Sequence, residues 1–225
     1  MPRRKASKPA KSIKPTRPYH HGDLRTALIA AALDRLDQDG AADLSLRAVA
    51  KAVGVSEAAP YHHFADKEEL ERALAAEGFG RLTDRLTGAL MASSPGEDLH
   101  RLAEAYVGFA LEARGLFRLM VRLPIDRAKH ADLAALVDGA LAPLAASVAR
   151  RMRAWGADAD IVGFAALTLW TQLHGLAEIL LTRAADQDPA RYGPRLVRLM
   201  EFFEDGLEAA TRGQVARAGA EKAAV

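Results

Sequence analysis

The side chains best equipped for chemistry in this 225-residue chain are histidines, and one adjacent pair of them lies in Pro60-Tyr61-His62-His63-Phe64. Imidazole can bind a metal, move a proton or donate to a phosphate oxygen. Successive residues on a helix point about 100° apart, so His62 and His63 cannot easily chelate one ion together. A single Glu-x-x-His runs from Glu97 to His100, whereas a carboxylate-bridged di-metal site in a helical bundle uses two such pairs and two further carboxylates. The sequence has no His-Glu-x-x-His, no Gly-rich phosphate loop and no nucleophile elbow. With no cysteine, it also has no disulfide framework and no thiolate zinc site, which fits a reducing compartment. No catalytic residue, metal or cofactor is expected, and a metal-dependent helical enzyme is the weakest reading. What remains for Tyr61, His62 and His63 is to offer hydroxyl and imidazole groups to something polar and charged.

The elements that must position them can be read locally. Ser45 is a good N-cap, with Leu44 before it and Val49 after it spaced as a hydrophobic staple. Leu46, Val49, Ala50 and Val53 form an i, i+3, i+4, i+7 stripe, so this helix packs on one face. Gly54 supplies a left-handed residue to end it, and Ser56 can cap a second helix with Pro60 in its first turn. Helix, tight glycine turn and short second helix make a helix-turn-helix. Glu57, Ala58 and Ala59 face outward at the start of the second helix, and small side chains let its backbone enter a major groove closely. Tyr61, His62 and His63 follow at its exit, within reach of phosphates, while Phe64 reads as core. Asp66 then caps a connecting helix, with Glu69 completing a capping box. Lys67 stands at the first helical position, where a cation is better placed if a phosphate sits against the helix end; the alternative is an ordinary surface lysine.

The run "LSLRAVAKAVGVSEAAPYHHFADKEEL" resembles the DNA-binding signature of the TetR family of bacterial transcriptional regulators. The resemblance covers about residues 23–72 and rests on Ala50, Gly54, Val55, Ser56, Tyr61, His63, Phe64, Lys67 and Leu70. Pro60 departs from the aliphatic residue of many members and bears on the path of the recognition helix. The candidate DNA contacts are Ser45, Ser56, Glu57, Ala58, Ala59, Tyr61, His62, His63 and Lys67. Farther on, "LTLWTQLHGLAEILL" resembles the subgroup whose regulatory domain is named for a Trp…His-Gly motif, here Trp170, His174 and Gly175. These resemblances imply a homodimer holding two recognition helices toward one double-stranded DNA operator, and a body that binds a small-molecule effector.

The rest of the chain reads as an all-α protein of roughly nine helices, with no alternation long enough for a strand. Loops are expected at 37–45, 92–98, 123–130, 154–160 and 184–194. The organisation expected is a basic arm (1–18), a helix-turn-helix unit (19–66), a regulatory and dimerisation unit (67–213) and a frayed tail (214–225). The arm carries seven Lys or Arg and no acid, so composition predicts disorder, with phosphate or minor-groove contact or mere solubilisation as its role. No signal sequence or membrane span is expected, since the longest uncharged run, Ile161–Ala177, falls short of the ~20 apolar residues needed. The protein is read as soluble and cytoplasmic. The segment Ile161–Leu181 is apolar nearly all round and Leu196, Leu199, Phe203 and Leu207 share a stripe, which suits an intersubunit four-helix bundle or a closed monomer core. Gly175 is expected where two long helices cross closely, with DNA binding depending on it through dimerisation. Tyr106, Phe109, Phe117, Met120, Trp170 and His174 are candidates for an apolar ligand pocket, each also readable as plain core. An architectural DNA-binding protein without a ligand is the alternative; about 130 residues beyond the connecting helix are more than dimerisation requires.

Overall fold

The computed structural model describes residues 21–39, 44–94, 96–157, 159–183 and 188–223. The arm at 1–18 lies outside the described residues. Eight α-helices and one 3-10 turn account for the regular structure among them, in the order α1 (His21–Asp39), α2 (Leu46–Val53), the turn (Ala59–His62), α3 (Lys67–Met91), α4 (Asp98–Glu112), α5 (Arg114–Arg122), α6 (Ala131–Ala154), α7 (Ala159–Thr182) and α8 (Pro189–Ala223).

The local signals act as physical chemistry requires. Ser45 accepts from the Ala48 N–H at 3.2 Å, and Leu44 and Val49 are both buried across that cap. Gly54 ends α2 with φ of 80°, and its N–H bonds back to the carbonyls of Ala50 and Lys51. Asp66 accepts from the Glu69 N–H at 2.8 Å, while the Glu69 carboxylate reaches one residue beyond the cap to the Ala65 N–H at 2.6 Å.

The second helix of the helix-turn-helix is instead a 3-10 turn, because an α-helix there would need a Pro60 N–H donating to Ser56. Proline has none. The Ser56 carbonyl is taken by Ala59 at 3.0 Å, and Tyr61 and His63 continue the i to i+3 pattern onto Ala58 and Pro60. Ser56 therefore contributes its carbonyl, and the residue ahead of the turn is Ala58, which makes no side-chain cap.

Helix α3 is the spine. Its buried Leu70, Leu74, Gly78, Leu82 and Leu86 repeat every four residues, packing against α1 near the start and against α4, α5 and α6 beyond. Helix α4 is enclosed, with Leu99, Leu102, Val107 and Ala110 fully buried. Arg85 of α3 grips Glu112 of α4 with both guanidinium nitrogens, at 2.5 and 2.8 Å. Asp98, Arg150, Arg151 and Glu204 form a cluster that ties α4, α6 and α8: Arg150 meets Asp98 at 2.5 Å, Arg151 meets it at 3.3 Å, and Arg151 also pairs with Glu204. Burial pushes the Asp98 carboxyl up, but hydrogen bonds from Ser147 and Arg150 and the two guanidinium charges outweigh it and hold the group below the usual carboxylate range.

Two expectations change. Helix α8 begins at Pro189, inside the segment read as a loop, and runs to Ala223 through the stretch read as a frayed tail. Helix α7 is buried on one side only: Val162, Leu169, Leu173 and Ala177 face the core, whereas Phe164, Leu167 and Ile179 are exposed. At Gly175, whose close crossing was expected through dimerisation, a Cβ would meet nothing within 4 Å inside the subunit. Helices α6 and α7 are long and apolar enough by composition to cross a membrane; here they pack on each other, with α6 against α3 and α7 against α4.

Candidate nucleic-acid interface and ligand cavity

The α2–turn–α3 corner gathers most of the charged and hydroxyl groups expected of a DNA-reading surface. Ser45, Ser56, Glu57, Ala58, Tyr61, His62 and Lys67 are exposed, and Ala59 and His63 are half-buried. Pro60 and Phe64 are buried beneath them and hold the turn against α1, where Arg25 lies 5.3 Å from the centre of the Phe64 ring. Tyr61, at half exposure, projects its ring from this surface. Glu57 stands 3.5 Å from Arg47 of α2, and Lys67 stands 3.5 Å from Glu71, a pair that a phosphate would have to compete with. Arg47 was not singled out from the sequence; its exposure beside the turn makes it a cation of the same surface.

A cavity of about 340 Å³ lies in the body, within the usual small-molecule range of ~300–1,000 Å³. Tyr106, Phe117, Met120, Trp170 and His174 line it together. Phe109 does not: it shares the buried side of α4 with Tyr106 but packs into the core. Its wall also uses Phe79 and Leu82 of α3, and Leu123 and Ile125 of the α5–α6 loop. Residues in a loop show no periodicity, so the sequence carried no signal for those two.

The polar end is built from two helices. The Tyr106 hydroxyl of α4 is 3.1 Å from His174 Nδ1 of α7. The imidazole stacks on Trp170 at 5.4 Å and lies 5.6 Å from Phe117, whose ring meets Tyr106 edge-on at 5.9 Å. Burial pushes the Tyr106 phenol far up and keeps it un-ionised. Among the described residues, no group of three or more His, Asp or Glu is placed to hold a metal.

Two family descriptions match the chain: bacterial regulatory proteins of the tetR family over residues 28–83, and the tetracyclin repressor-like C-terminal domain over residues 99–203. The chain belongs to the TetR family. An uncharacterized HTH-type transcriptional regulator of Mycobacterium tuberculosis is 26% identical over 162 residues, covering 72% of each chain. A protein of unknown function from Rhodococcus sp. RHA1 has a solved structure that is 32% identical, with a TM-score of 0.72 over 86% of this chain and 100% of that one. BioQ, solved with its natural double-stranded DNA operator, shares the fold with a TM-score of 0.55, 24% identity and coverage of 82% of this chain and 98% of its own.

As a TetR-family member, the protein is a DNA-binding transcriptional regulator. The two matched regions correspond to the two sites: residues 28–83 contain the α2–turn–α3 corner, and residues 99–203 contain Tyr106, Phe117, Met120, Trp170 and His174.

Proposed function

We propose that the protein is a repressor that grips a palindromic operator as a homodimer and lets go when a small, largely apolar effector fills the cavity. The observation that carries this reading is the position of α5. Phe117 and Met120 line the cavity, and Gly115 lies so close to α1 that a Cβ there would be 2.2 Å from the Leu36 carbonyl oxygen. The Met120 sulfur in turn sits 2.4 Å from where a Gly78 Cβ would be on α3. Helices α1 and α3 flank the reading turn, so a ligand that displaces Phe117 or Met120 pushes on both of its supports. An effector that fits only the displaced arrangement shifts the population away from the DNA-binding one.

In this reading Glu57, Ala58 and Ala59 approach base edges, while Ser45, Ser56, Tyr61, His62, His63 and Lys67 approach phosphates. Residues 19–66 act as the reading unit and 67–213 as the regulatory and dimerisation unit, with the arm adding non-specific affinity in the cytoplasm. The dimer contact is the α7–α8 face, where Phe164 and Phe202 are 70% and 76% exposed beside an apolar groove. The Gln172 amide oxygen is buried in that groove without a hydrogen-bond partner, and a second copy can satisfy it. Gly175, open within the chain, is then available for a close crossing with the other subunit.

The test is to sequence the DNA the protein selects from genomic fragments and to sediment it with and without that DNA. The expected result is a dimer on one palindrome whose half-sites are spaced by about 34 Å or a multiple. A Phe164→Glu, Phe202→Glu double variant should lose both dimer and operator. Uniform coverage of all fragments would instead make it an architectural DNA-binding protein, and full-affinity binding by a monomer would end the dimer proposal.

A further inference from the structure

Resting on the reading of the cavity as the effector site, we propose that its ligand is uncharged and mostly apolar, with one oxygen acceptor that docks on the Nε2–H of His174. The first argument concerns charge. No Asp, Glu, Lys or Arg is among the residues lining the cavity, and its polar groups are the Tyr106 hydroxyl, the His174 imidazole and the Trp170 indole. A charge buried there would have no lining counter-charge, which is costly. Arg118 is engaged with the Leu181 carbonyl at 2.9 Å, and Glu178, one turn beyond His174, presents a negative field at Tyr106 that opposes an anion. Set outside the lining, Glu178 does not pair directly with a bound cation either.

The second argument fixes the direction of the hydrogen bonds. Tyr106 is 3% exposed, and the acceptor the structure offers its hydroxyl proton is His174. The other polar group of the lining, the Trp170 indole nitrogen, can only donate. His174 Nδ1, at 3.1 Å, is the acceptor. With Nδ1 accepting in this arrangement, the ring hydrogen is placed on Nε2. Stacking against Trp170 and Phe117 fixes the plane of that ring and with it the bearing of the Nε2–H. Among the described residues no protein group bonds Nε2, so the donor is left for whatever enters the cavity. A carbonyl or ether oxygen on an apolar body matches both the donor and the walls.

Four probes of similar size and different head group test this in the full-length protein: para-butylacetophenone, butylbenzene, para-butylbenzoate and para-butylbenzylamine. Calorimetric titration should find the ketone roughly tenfold tighter than the hydrocarbon, the worth of one well-made hydrogen bond, with both charged probes weaker than the ketone. His174→Phe keeps a stacking ring without the donor and should bring the ketone down to the hydrocarbon's affinity. His174→Gln retains an N–H and should keep part of the preference; circular dichroism checks that both variants fold. Nitrogen NMR of the free protein should show His174 as the Nε2-protonated tautomer.

Tightest binding by the benzoate or the benzylamine would overturn the inference, as would a ketone preference that survives His174→Phe or an Nδ1-protonated ring. Binding of none of the four would remove the cavity as a ligand site and the inference with it. Binding in the expected order with no change in operator affinity would support the ligand chemistry while ending the effector role.

Discussion

Replacing Gly115 by alanine adds one methyl group where α5 meets α1, and the structure assigns that group no room. Its carbon would lie 2.2 Å from the Leu36 carbonyl oxygen, 2.6 Å from the carbonyl carbon and 3.1 Å from the Asp37 nitrogen. An ordinary C···O contact needs ~3.3 Å or more, so the helices must separate by about 1 Å. The obstacle is backbone, which has no rotamer to escape into. Overpacking of this kind costs about 1–3 kcal/mol, or roughly 2–12 °C in Tm for a chain of this size. Gly88, in the exposed part of α3, is the control: a Cβ there meets nothing within 4 Å, and alanine should stabilise the helix by up to ~1 kcal/mol. The same chemical change is thus expected to act with opposite signs at the two positions. Thermal denaturation followed by circular dichroism reads the stability, and fluorescence anisotropy with the selected operator reads the function. Gly115→Ala should weaken operator binding although residues 45–67 are untouched, because the strain falls on the helix that supports the turn. A Gly115→Ala protein with wild-type Tm and wild-type affinity would mean that α1 does not rest on α5 and that the proposed route from cavity to DNA is wrong.

Lys67→Ala should weaken binding to all DNA sequences alike and flatten the log–log salt dependence by about one unit; altered base preference at an unchanged slope would remove Lys67 from the phosphate contacts. Asp98 has a folded-state pKa below its unfolded value, so its contribution to stability is present above the unfolded value and is lost as pH falls through the folded one. Asp98→Asn should therefore destabilise at neutral pH and flatten the acid limb of a Tm-against-pH curve; an acid limb identical to the wild type's counts against the cluster. Deleting residues 1–18 should lower DNA affinity at low salt and leave the protected site in place, and no change at any salt would return the arm to a solubilising tail.

Features set by neighbours in sequence were legible before any coordinates. The Ser45, Gly54 and Asp66 caps each depend on residues within a turn of themselves, which is why they could be placed one by one. The unhelical path after Ser56 was foreshadowed by Pro60, though its consequence, a 3-10 turn, depends on where every other carbonyl goes. The cavity was half legible. Aromatic residues on apolar helices are candidates for a lining, but Tyr106 and Phe109 share the buried side of one helix, and only tertiary packing decides which of them meets open space. The bond from Tyr106 to His174 joins residues 68 apart in sequence, beyond any local pattern. Gly175 lies beyond the reach of one subunit: a glycine on an apolar helix suggests a crossing in the dimer, and its neighbours within the chain leave it open.

The 3-10 turn under the reading surface has a consequence for how such a protein changes its preference. Pro60, Phe64 and the Ser56-to-Ala59 hydrogen bond fix the backbone with atoms that Glu57 and Ala58 do not supply. On the proposed reading, in which Glu57 and Ala58 approach base edges, the scaffold and the message are therefore carried by different side chains. Glu57 and Ala58 are exposed, and Ala59 is the smallest side chain able to fill a half-buried position. On that reading, substitutions at 57 and 58 alter which base edges are met without any refolding of the support. New operators are then reachable by single replacements, each tested by selection on a backbone that stays constant, which makes this corner easy to re-aim over evolutionary time.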